Sequence, residues 1–230
     1  MALKDDLNSE VVAIFKTDWK KRTGQQVPEP EDIALGNDAV ELDATVLYAD
    51  LAESTELVND YKAPFAAEIY KTYLVCASRI IKAEGGAITA FDGDRVMGVF
   101  IGDTKNTSAV RAALKIDYAV TKIINPALKA QYPTSTYEVR QSVGVDTSTL
   151  FAARTGIRGS NDLVWVGRAA NYAAKLCSLR EGLYTSWITS SVYDVMLNEV
   201  KTTNGTPMWE KRHWTARKID VYRSSWHMAP

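Results

Sequence analysis

Two aspartates, each next to a strand-like apolar run, constrain this chain more than any other feature. Asp50 ends the apolar run over residues 44–49, and Asp94 follows the turn sequence Asp92-Gly93 and precedes the apolar run over 96–100. A short Gly/Asp segment between two apolar runs predicts a β-hairpin. Carboxylate oxygens are the ligands that hard divalent cations prefer, so the pattern predicts a site for two such cations where a strand end meets a hairpin turn.

A third element places an amide and a cation four residues apart. Within residues 166–175, Asn171 and Lys175 occupy positions i and i+4, which lie on one face of an α-helix. An ordinary solvent-facing helix explains the same pair, although Gly167 just before it favours a functional role.

The order of predicted elements indicates an α+β fold. We expect a strand over about 43–50, a helix over 60–83, strands over 86–91 and 95–101, a helix over 106–130, a strand over 137–146, and a strand pair before the helix that carries Asn171. This is a ferredoxin-like βαββαβ core with additional strands.

The first 42 residues are predicted to form an N-terminal helical extension rather than a second domain. Apolar residues recur at helical spacing over residues 7–22, which indicates an amphipathic helix that packs on the following domain or on a partner. Pro28 and Pro30 favour an extended path after it. Residues 43–230 then form one domain, which contains the predicted cation site.

Composition excludes several classes of partner. With 27 basic and 28 acidic side chains among 230 residues, the net charge of -1 predicts no general surface for nucleic acid or anionic lipid. The sequence shows neither a signal peptide nor an apolar run near 18 residues, so we expect a cytoplasmic protein. Cys76 and Cys177 have no second cysteine or histidine nearby, so both are expected to be buried thiols rather than a redox pair or zinc ligands.

Together the three elements resemble the class III nucleotidyl cyclases. Those catalytic domains carry a strand that ends in a metal-binding Asp, a Gly-Asp hairpin with the second such Asp, and an Asn-xxx-Arg helix. The resemblance covers roughly residues 43–222. The segments 18–30, 47–55 and 91–97 are most similar to the bacterial Pycsar pyrimidine cyclases, which make cyclic UMP or cyclic CMP during phage infection.

The resemblance implies a role for each element. Asp50, Asp94 and the backbone carbonyl of Leu51 would hold two Mn²⁺ or Mg²⁺ ions, Asn171 would orient the ribose, and Lys175 would stabilise the pentavalent phosphate. Lys175 stands where the family has Arg. This departure replaces a planar fork of donors with a point charge.

Two further segments are candidates for phosphate binding. Glu53, Ser54 and Thr55 lie just beyond the first strand, where the N-terminus of the next helix would attract phosphate through free N–H groups. Ser54 or Thr55 is equally well explained as a helix N-cap. Lys218 lies where the family often places a lysine for the triphosphate, although Arg217 and Lys218 are at least as well explained as two charges at a strand edge.

The predicted base site lacks the residues that select purines. Purine-specific relatives carry a Lys or Glu four residues before the second metal Asp and an Asp seven residues before the helix Asn, where this chain has Ala90 and Val164. An unpaired base edge costs about 1–3 kcal/mol, so ATP and GTP are disfavoured. Tyr48 should share a face of its strand with Asp50 and would narrow the pocket for a smaller base, unless it is only a core aromatic.

The resulting hypothesis is a pyrimidine nucleotide cyclase that converts UTP to 3′,5′-cyclic UMP and pyrophosphate for antiphage defence. The preference for UTP over CTP comes from the family alone. The resemblance also implies a symmetric homodimer with shared active sites, and a separate effector protein that binds the cyclic nucleotide. A cytidylate cyclase, a purine cyclase and a cyclase-like regulatory module without turnover remain as alternatives.

Overall fold

The structure, a computed structural model, describes residues 2–230. In that part of the chain the α-helices are α1 (Leu3–Lys16), α2 (Ser54–Asp60), α3 (Ala63–Ala83), α4 (Lys105–Tyr118), α5 (Asn125–Gln131), α6 (Arg168–Leu176) and α7 (Ser190–Val195). The strands there are β1 (Lys20–Thr23), β2 (Asp38–Leu51), β3 (Ala87–Asp92), β4 (Arg95–Phe100), β5 (Gln141–Ile157), β6 (Ser160–Val166), β7 (Ser186–Thr189), β8 (Thr202–Thr203), β9 (Thr206–Pro207), β10 (Glu210–Trp214) and β11 (Ile219–Ser224).

The main sheet contains the predicted ferredoxin-like core. Its central order is β5-β2-β4-β3 with antiparallel neighbours, and helices connect β2 to β3 and β4 to β5. The strands β7, β11 and β10 extend the sheet beyond β5, while β1 and β6 pair with β2 and β5. The predicted α+β class and the βαββαβ core with additional strands are therefore confirmed.

Helices cover both faces of this sheet. Along β2, Leu47, Ala49 and Leu51 belong to the core that also contains α3 and α4. Their neighbours Ala44 and Val46 face the other way, toward a second core that contains α6. Because side chains alternate along a strand, Tyr48 and Asp50 share the face covered by α6.

The close packing of α6 on the sheet depends on a glycine in β5. A Cβ atom at Gly144 would meet backbone atoms of Ala173 and Cys177, which leaves no room for any side chain. The helix faces the sheet with the small residues Ala169, Ala170 and Ala173. Small residues on both sides therefore fix the position of the helix that carries Asn171 and Lys175.

The predicted N-terminal helix over 7–22 is wrong at its end. The helix α1 ends at Lys16, and residues 20–23 form an edge strand that pairs in parallel with residues 38–41. Backbone hydrogen bonds of this edge strand to β2 outweigh the helical spacing of apolar side chains. The strand β2 begins at Asp38, before the expected start near 43, and the division of the chain at residue 42 stays a prediction.

The other differences lie at element boundaries. The predicted helix over 60–83 is preceded by the separate helix α2, and Pro64 lies in the first turn of α3, where proline is tolerated. A π-helical turn, Ala119–Ile124, joins α4 to α5 within the predicted helix over 106–130. Cys177 is buried as expected, whereas Cys76 is only partly buried.

None of the helices within residues 2–230 combines the length and the apolar character needed to cross a membrane.

Candidate active site

The register of the central strands brings Asp50 and Asp94 to one end of the sheet. Asp50 pairs with Arg95 of β4, the residue that follows Asp94, and with Ser142 of β5. The β3–β4 hairpin closes between Asp92 and Arg95 through the two residues Gly93 and Asp94. Gly93 has a φ of 61°, a value that glycine adopts at the first central position of a tight hairpin turn. The structure therefore places both predicted carboxylates together.

The two carboxylates repel one another. Burial raises the pKa of Asp50 above its ordinary value, and the charge of Asp94 raises the same pKa further, although Arg180 and Arg95 oppose both effects. Burial raises the pKa of the Tyr73 hydroxyl well above its usual range, and the negative charges of Asp50 and Asp94 add to the shift. An added cation at this end of the sheet would relieve the repulsion.

The available oxygen atoms fit a divalent cation. The Oδ2 atom of Asp94 is buried and has no hydrogen-bond partner within residues 2–230. Asp50 and the carbonyl oxygen of Leu51 both accept from one cationic nitrogen of Arg180. Hard cations bind carboxylate and carbonyl oxygens of this kind. In the described part of the chain no group of three or more His, Cys, Asp or Glu side chains could hold a metal, so these residues supply only part of a ligand set.

Arg180 occupies the oxygen pair predicted for the cation. Its Nη2 atom lies 3.1 Å from Oδ2 of Asp50 and 2.8 Å from the carbonyl oxygen of Leu51. The residue belongs to the loop between α6 and β7, and 41% of its side chain is exposed, against 16% for Asp50. The positive charge nearest to Asp50 therefore comes from a loop rather than from the sheet.

Tyr48 and Ala90 lie beside the carboxylate pair. Both are partly buried and pack against the core beneath α6. The guanidinium of Arg95 lies 5.2 Å from the ring centroid of Tyr48 and donates to Oδ2 of Asp92 at 2.8 Å. Its Nε atom is buried without a partner in residues 2–230. Burial raises the pKa of Tyr48, so its hydroxyl is present as a hydrogen-bond donor at neutral pH.

The structure does not bring Val164 to Tyr48 and Ala90 within one chain. Val164 pairs with Ala153 in the β5–β6 hairpin and lies on the exposed face of β6. Its neighbours Leu163 and Trp165 point to the opposite face and pack against the core beneath α6. In a single chain the side chain of Val164 is therefore exposed at the surface.

Asn171 and Lys175 also lie on an outer face. Both are exposed on α6, and the Nδ2 atom of Asn171 donates to the carbonyl of Gly167 at 3.2 Å. The start of this helix is fixed to the sheet, because Arg168 bonds to the buried carboxylate of Asp146 at 3.1 Å. The predicted helix and its exposed Asn/Lys face are thus present, and their catalytic roles stay predictions.

The first turn of α2 corrects one interpretation. Glu53, with a φ of 59°, is the residue before the helix, and Ser54 and Thr55 are already helical. The N-cap alternative for Ser54 or Thr55 is therefore wrong. Glu53 accepts a hydrogen bond from Arg140 at 2.5 Å. Phosphate binding by Glu53, Ser54 and Thr55 stays a prediction.

Lys218 lies in the turn that joins β10 to β11. It is exposed with a φ of 54°, and the neighbouring Arg217 lies 5.9 Å from the ring centroid of Trp214. On this hairpin Asp220 forms its ion pair with Lys211 at 2.6 Å. The predicted contact between Lys218 and a triphosphate stays a prediction.

Sequence reasoning missed three side chains near the carboxylates: Arg95, Arg180 and Tyr73. A signal existed for Arg95, because a two-residue turn places residue 95 opposite residue 92 and beside the end of the first strand. Tyr73 lies on the buried face of α3. Arg180 follows the helix in an irregular loop, where spacing gives no information on contacts.

Comparison with known proteins is consistent with this geometry. No protein-family model matches the sequence. A uridylate cyclase from Xanthomonas perforans is 53% identical over 228 residues, which cover 98% of this chain and 98% of the relative. A uridylate cyclase from Burkholderia cepacia shows the same identity and coverage.

Solved structures show the fold. The adenylyl cyclase CyaB from P. aeruginosa superposes with a TM-score of 0.70 at 22% identity, covering 81% of this chain and 95% of that chain. The guanylyl cyclase Cya2 gives a TM-score of 0.68 at 16% identity, with 83% and 95% covered. Adenylyl and guanylyl cyclases share this fold, so the fold alone does not identify the base of the substrate nucleotide.

The fold is that of a class III nucleotidyl cyclase catalytic domain, as the order of the sequence elements predicted. The chain belongs to the family that the two uridylate cyclases represent, and it is a nucleotidyl cyclase.

Proposed function

We propose that this chain is a pyrimidine nucleotide cyclase that converts UTP to 3′,5′-cyclic UMP and pyrophosphate. The observation that carries the proposal is the meeting of Asp50 and Asp94 at one end of the sheet, with a buried carboxylate oxygen that has no hydrogen-bond partner in residues 2–230. The relatives named uridylate cyclase, 53% identical over nearly the whole chain, support uracil as the base.

In the proposed reaction the ribose 3′-oxygen attacks the α-phosphorus. A bond forms between these two atoms, the 3′-hydroxyl transfers its proton to solvent water, and the bond from the α-phosphorus to the bridging oxygen breaks so that pyrophosphate leaves with the electron pair of that bond. Two Mn²⁺ or Mg²⁺ ions held by Asp50, Asp94 and the Leu51 carbonyl would neutralise the charge on the attacking and leaving oxygens. The strand register would hold the two carboxylates in position before the nucleotide binds, so they need not reorganise during the reaction.

The α6 helix would supply the remaining polar groups. Asn171 has an exposed amide that can orient the ribose, and Lys175 has an exposed ammonium that can bind the equatorial oxygens of the phosphorus as their negative charge grows. The ion pair between Arg168 and Asp146 holds the first turn of the helix and therefore sets the position of Asn171.

The base would lie beside Tyr48. Ala90 has no polar group for a purine edge, whereas the Tyr48 hydroxyl and the Nε of Arg95, which has no partner in residues 2–230, are available for hydrogen bonds. The Tyr48 hydroxyl can donate or accept, but the Nε of Arg95 can only donate. A donor pairs with the O4 acceptor of uracil and not with the C4 amine of cytosine, so Arg95 favours UTP over CTP.

The active unit would be a symmetric homodimer. Within one chain Asn171, Lys175 and Val164 lie on outer faces, away from the carboxylate pair, so a second copy is needed to bring them to it. Phe91, Val164 and Val166 are large apolar side chains exposed on the elements that carry the site, as expected for an interface. Two identical composite sites then follow from two-fold symmetry.

The product would act as a second messenger for antiphage defence through a separate effector protein that binds cyclic UMP. This part of the proposal follows from the Pycsar resemblance. A neighbouring gene that encodes a cyclic-nucleotide-binding domain fused to a toxic domain would support it, and loss of phage protection on deletion of either gene would test it.

The test of the activity is incubation of the purified protein with Mn²⁺ and each of ATP, GTP, CTP and UTP separately, with the products identified by mass spectrometry. Cyclic UMP as the main product is expected, with none from an Asp50→Asn variant. Cyclic CMP as the main product would reassign the base, and a cyclic purine would refute the argument from Ala90 and Tyr48.

The test of assembly uses dilution. The rate per chain of a homodimer with shared sites falls once the protein concentration is below the dimer dissociation constant. A mixture of inactive Asp50→Asn and inactive Lys175→Ala protein should regain activity, because one of the two sites in each mixed dimer is intact. A rate per chain that stays constant on dilution, with no recovery on mixing, would show that each chain works alone.

A further inference from the structure

The side chain of Arg180 lies across two of the three oxygen ligands of the proposed metal site. One nitrogen, Nη2, bonds to both Oδ2 of Asp50 and the carbonyl oxygen of Leu51. A Mg²⁺ ion binds oxygen at about 2.0–2.1 Å, closer than the guanidinium lies. Two positive charges on the same pair of oxygens repel one another, so the binding of either cation weakens the binding of the other.

The contact with Arg180 places a positive charge on oxygens that carry only negative charge. Asp50 and Asp94 repel one another, and the Leu51 carbonyl adds a third negative dipole at the same strand end. Arg95, the other cation here, donates to Asp92 rather than to Asp50. Arg180 is thus the cation that holds the Asp50–Leu51 oxygen pair in residues 2–230.

A cavity next to Arg180 is large enough to hold its side chain away from Asp50. Arg180 lines an open cavity of about 570 Å³ that is also lined by Glu53 and Glu138. The loop itself is tied down beside it, because Glu181 accepts a hydrogen bond from Arg223 at 2.5 Å. The guanidinium can therefore leave Asp50 by rotation about its own side-chain bonds and remain among carboxylates.

We propose that Arg180 is an internal cation that competes with the divalent ion for Asp50 and Leu51, and that it swings into the adjacent cavity when the ion binds. This inference rests on the proposed metal site. It goes beyond the proposed function because it sets the metal concentration that the enzyme needs before nucleotide binds.

The test is isothermal titration calorimetry, in which Mn²⁺ is titrated into the full-length, nucleotide-free protein and its dissociation constant is measured. The Arg180→Gln variant should bind Mn²⁺ about three- to fivefold more tightly than the wild type, as expected for loss of a half-exposed competing ion pair. Arg95→Gln is the matched control, because it removes a positive charge next to the same carboxylates but leaves the Asp50–Leu51 pair occupied. Its affinity should change by less than about twofold.

Two further variants separate the possible failures. Asp50→Asn should lose Mn²⁺ binding, and unchanged binding there would refute the proposed metal site itself. If Asp50→Asn loses binding while Arg180→Gln binds Mn²⁺ equally or more weakly, the competition is wrong and Arg180 instead supports the ligands. Should Arg180→Gln fail to fold, Arg180→Lys gives the same comparison, since its shorter side chain keeps the charge but reaches the two oxygens less well.

Discussion

Asp146 and Asp94 are two aspartates of the same sheet whose surroundings differ completely. The side chain of Asp146 is fully buried, and its oxygens accept hydrogen bonds from Thr189 at 2.5 Å and from Arg168 at 3.1 Å. Asp94 lies at a hairpin turn, and its buried Oδ2 has no partner in residues 2–230. One carboxylate is satisfied by the protein and the other is not.

The difference separates a structural charge from a functional one. A buried carboxylate without partners costs free energy, so folding alone would favour its replacement. Asp146 holds α6 to the sheet, whereas Asp94 adds repulsion to Asp50. A group that the fold does not stabilise is expected to be stabilised by a ligand, which is the reason for assigning Asp94 to a cation.

The largest expected effect is on turnover. Asp94→Asn should reduce cyclase activity about 10³-fold or more, because it removes a proposed ligand of the charge-neutralising cations. The free energy of unfolding of the metal-free protein, measured by urea denaturation, should change by less than about 0.5 kcal/mol. A large loss of stability would place Asp94 with Asp146 and end the contrast between them.

Asp146→Ala should show the opposite pattern. We expect a loss of about 3 kcal/mol in the free energy of unfolding, since Thr189 loses its acceptor and Arg168 loses its counter-ion. Asp146→Asn keeps an acceptor oxygen and should lose less. Urea denaturation of both variants checks this, and equal losses would show that the charge rather than the hydrogen bonds stabilises the site.

Glu84 is a second carboxylate that stabilises the fold, and its contribution to stability depends on pH. Burial opposes its ionised form, but hydrogen bonds from Lys115 at 2.7 Å and Arg111 at 2.9 Å outweigh burial and lower the pKa of Glu84 below 4.5. Because the pKa of Glu84 is lower in the folded state than in the unfolded state, its ionised form stabilises the folded protein at pH values above the unfolded-state pKa. This stabilisation is lost as the pH falls through the folded-state pKa.

Glu84→Gln should therefore cost about 2 kcal/mol of stability at pH 7. The difference from the wild type should shrink as the pH falls below 4.5. Urea denaturation over a pH series measures it, and a difference that does not depend on pH would contradict the ion-pair origin.

The smallest effect is stabilisation by metal. Mn²⁺ at ten times its dissociation constant should raise the free energy of unfolding by about 1.4 kcal/mol, because it binds the folded state alone. The effect should vanish in Asp94→Asn and persist in Glu84→Gln. Thermal unfolding with and without Mn²⁺ measures it, and equal stabilisation of both variants would place the ion elsewhere.

The sequence predicted the core of this fold because its signals are local. The turn at Gly93, the strand end at Asp50 and the helix start after Gly167 each have a pattern of a few residues, and their order defines the βαββαβ core. The end of the first helix was mispredicted because β1 is formed by pairing with residues 38–41, which helical periodicity cannot detect.

Those parts of the candidate site whose positions are determined by strand register could be predicted from the sequence. The approach of Asp50 to Asp94 follows from a strand end and a two-residue turn, but the contacts of Arg180 depend on the path of an irregular loop. The place of Val164 could not be predicted either, because alternation in β6 turns it outward only once the hairpin register is known. In the proposed homodimer Val164 would reach the site from the second copy of the chain, and the spacing of residues within one chain carries no signal for such a contact.

The two-residue turn at Gly93 and Asp94 limits how this gene can change through insertions and deletions. The pairing of β4 with β2 and β3 keeps Arg95 opposite Asp50 and Asp92, so one extra codon between Asp92 and Arg95 would lengthen the turn and move Asp94 relative to Asp50. Substitutions at the flanking positions change only single side chains. Among diverging copies of this gene, we therefore expect the turn to keep its length of two residues wherever activity depends on the two carboxylates.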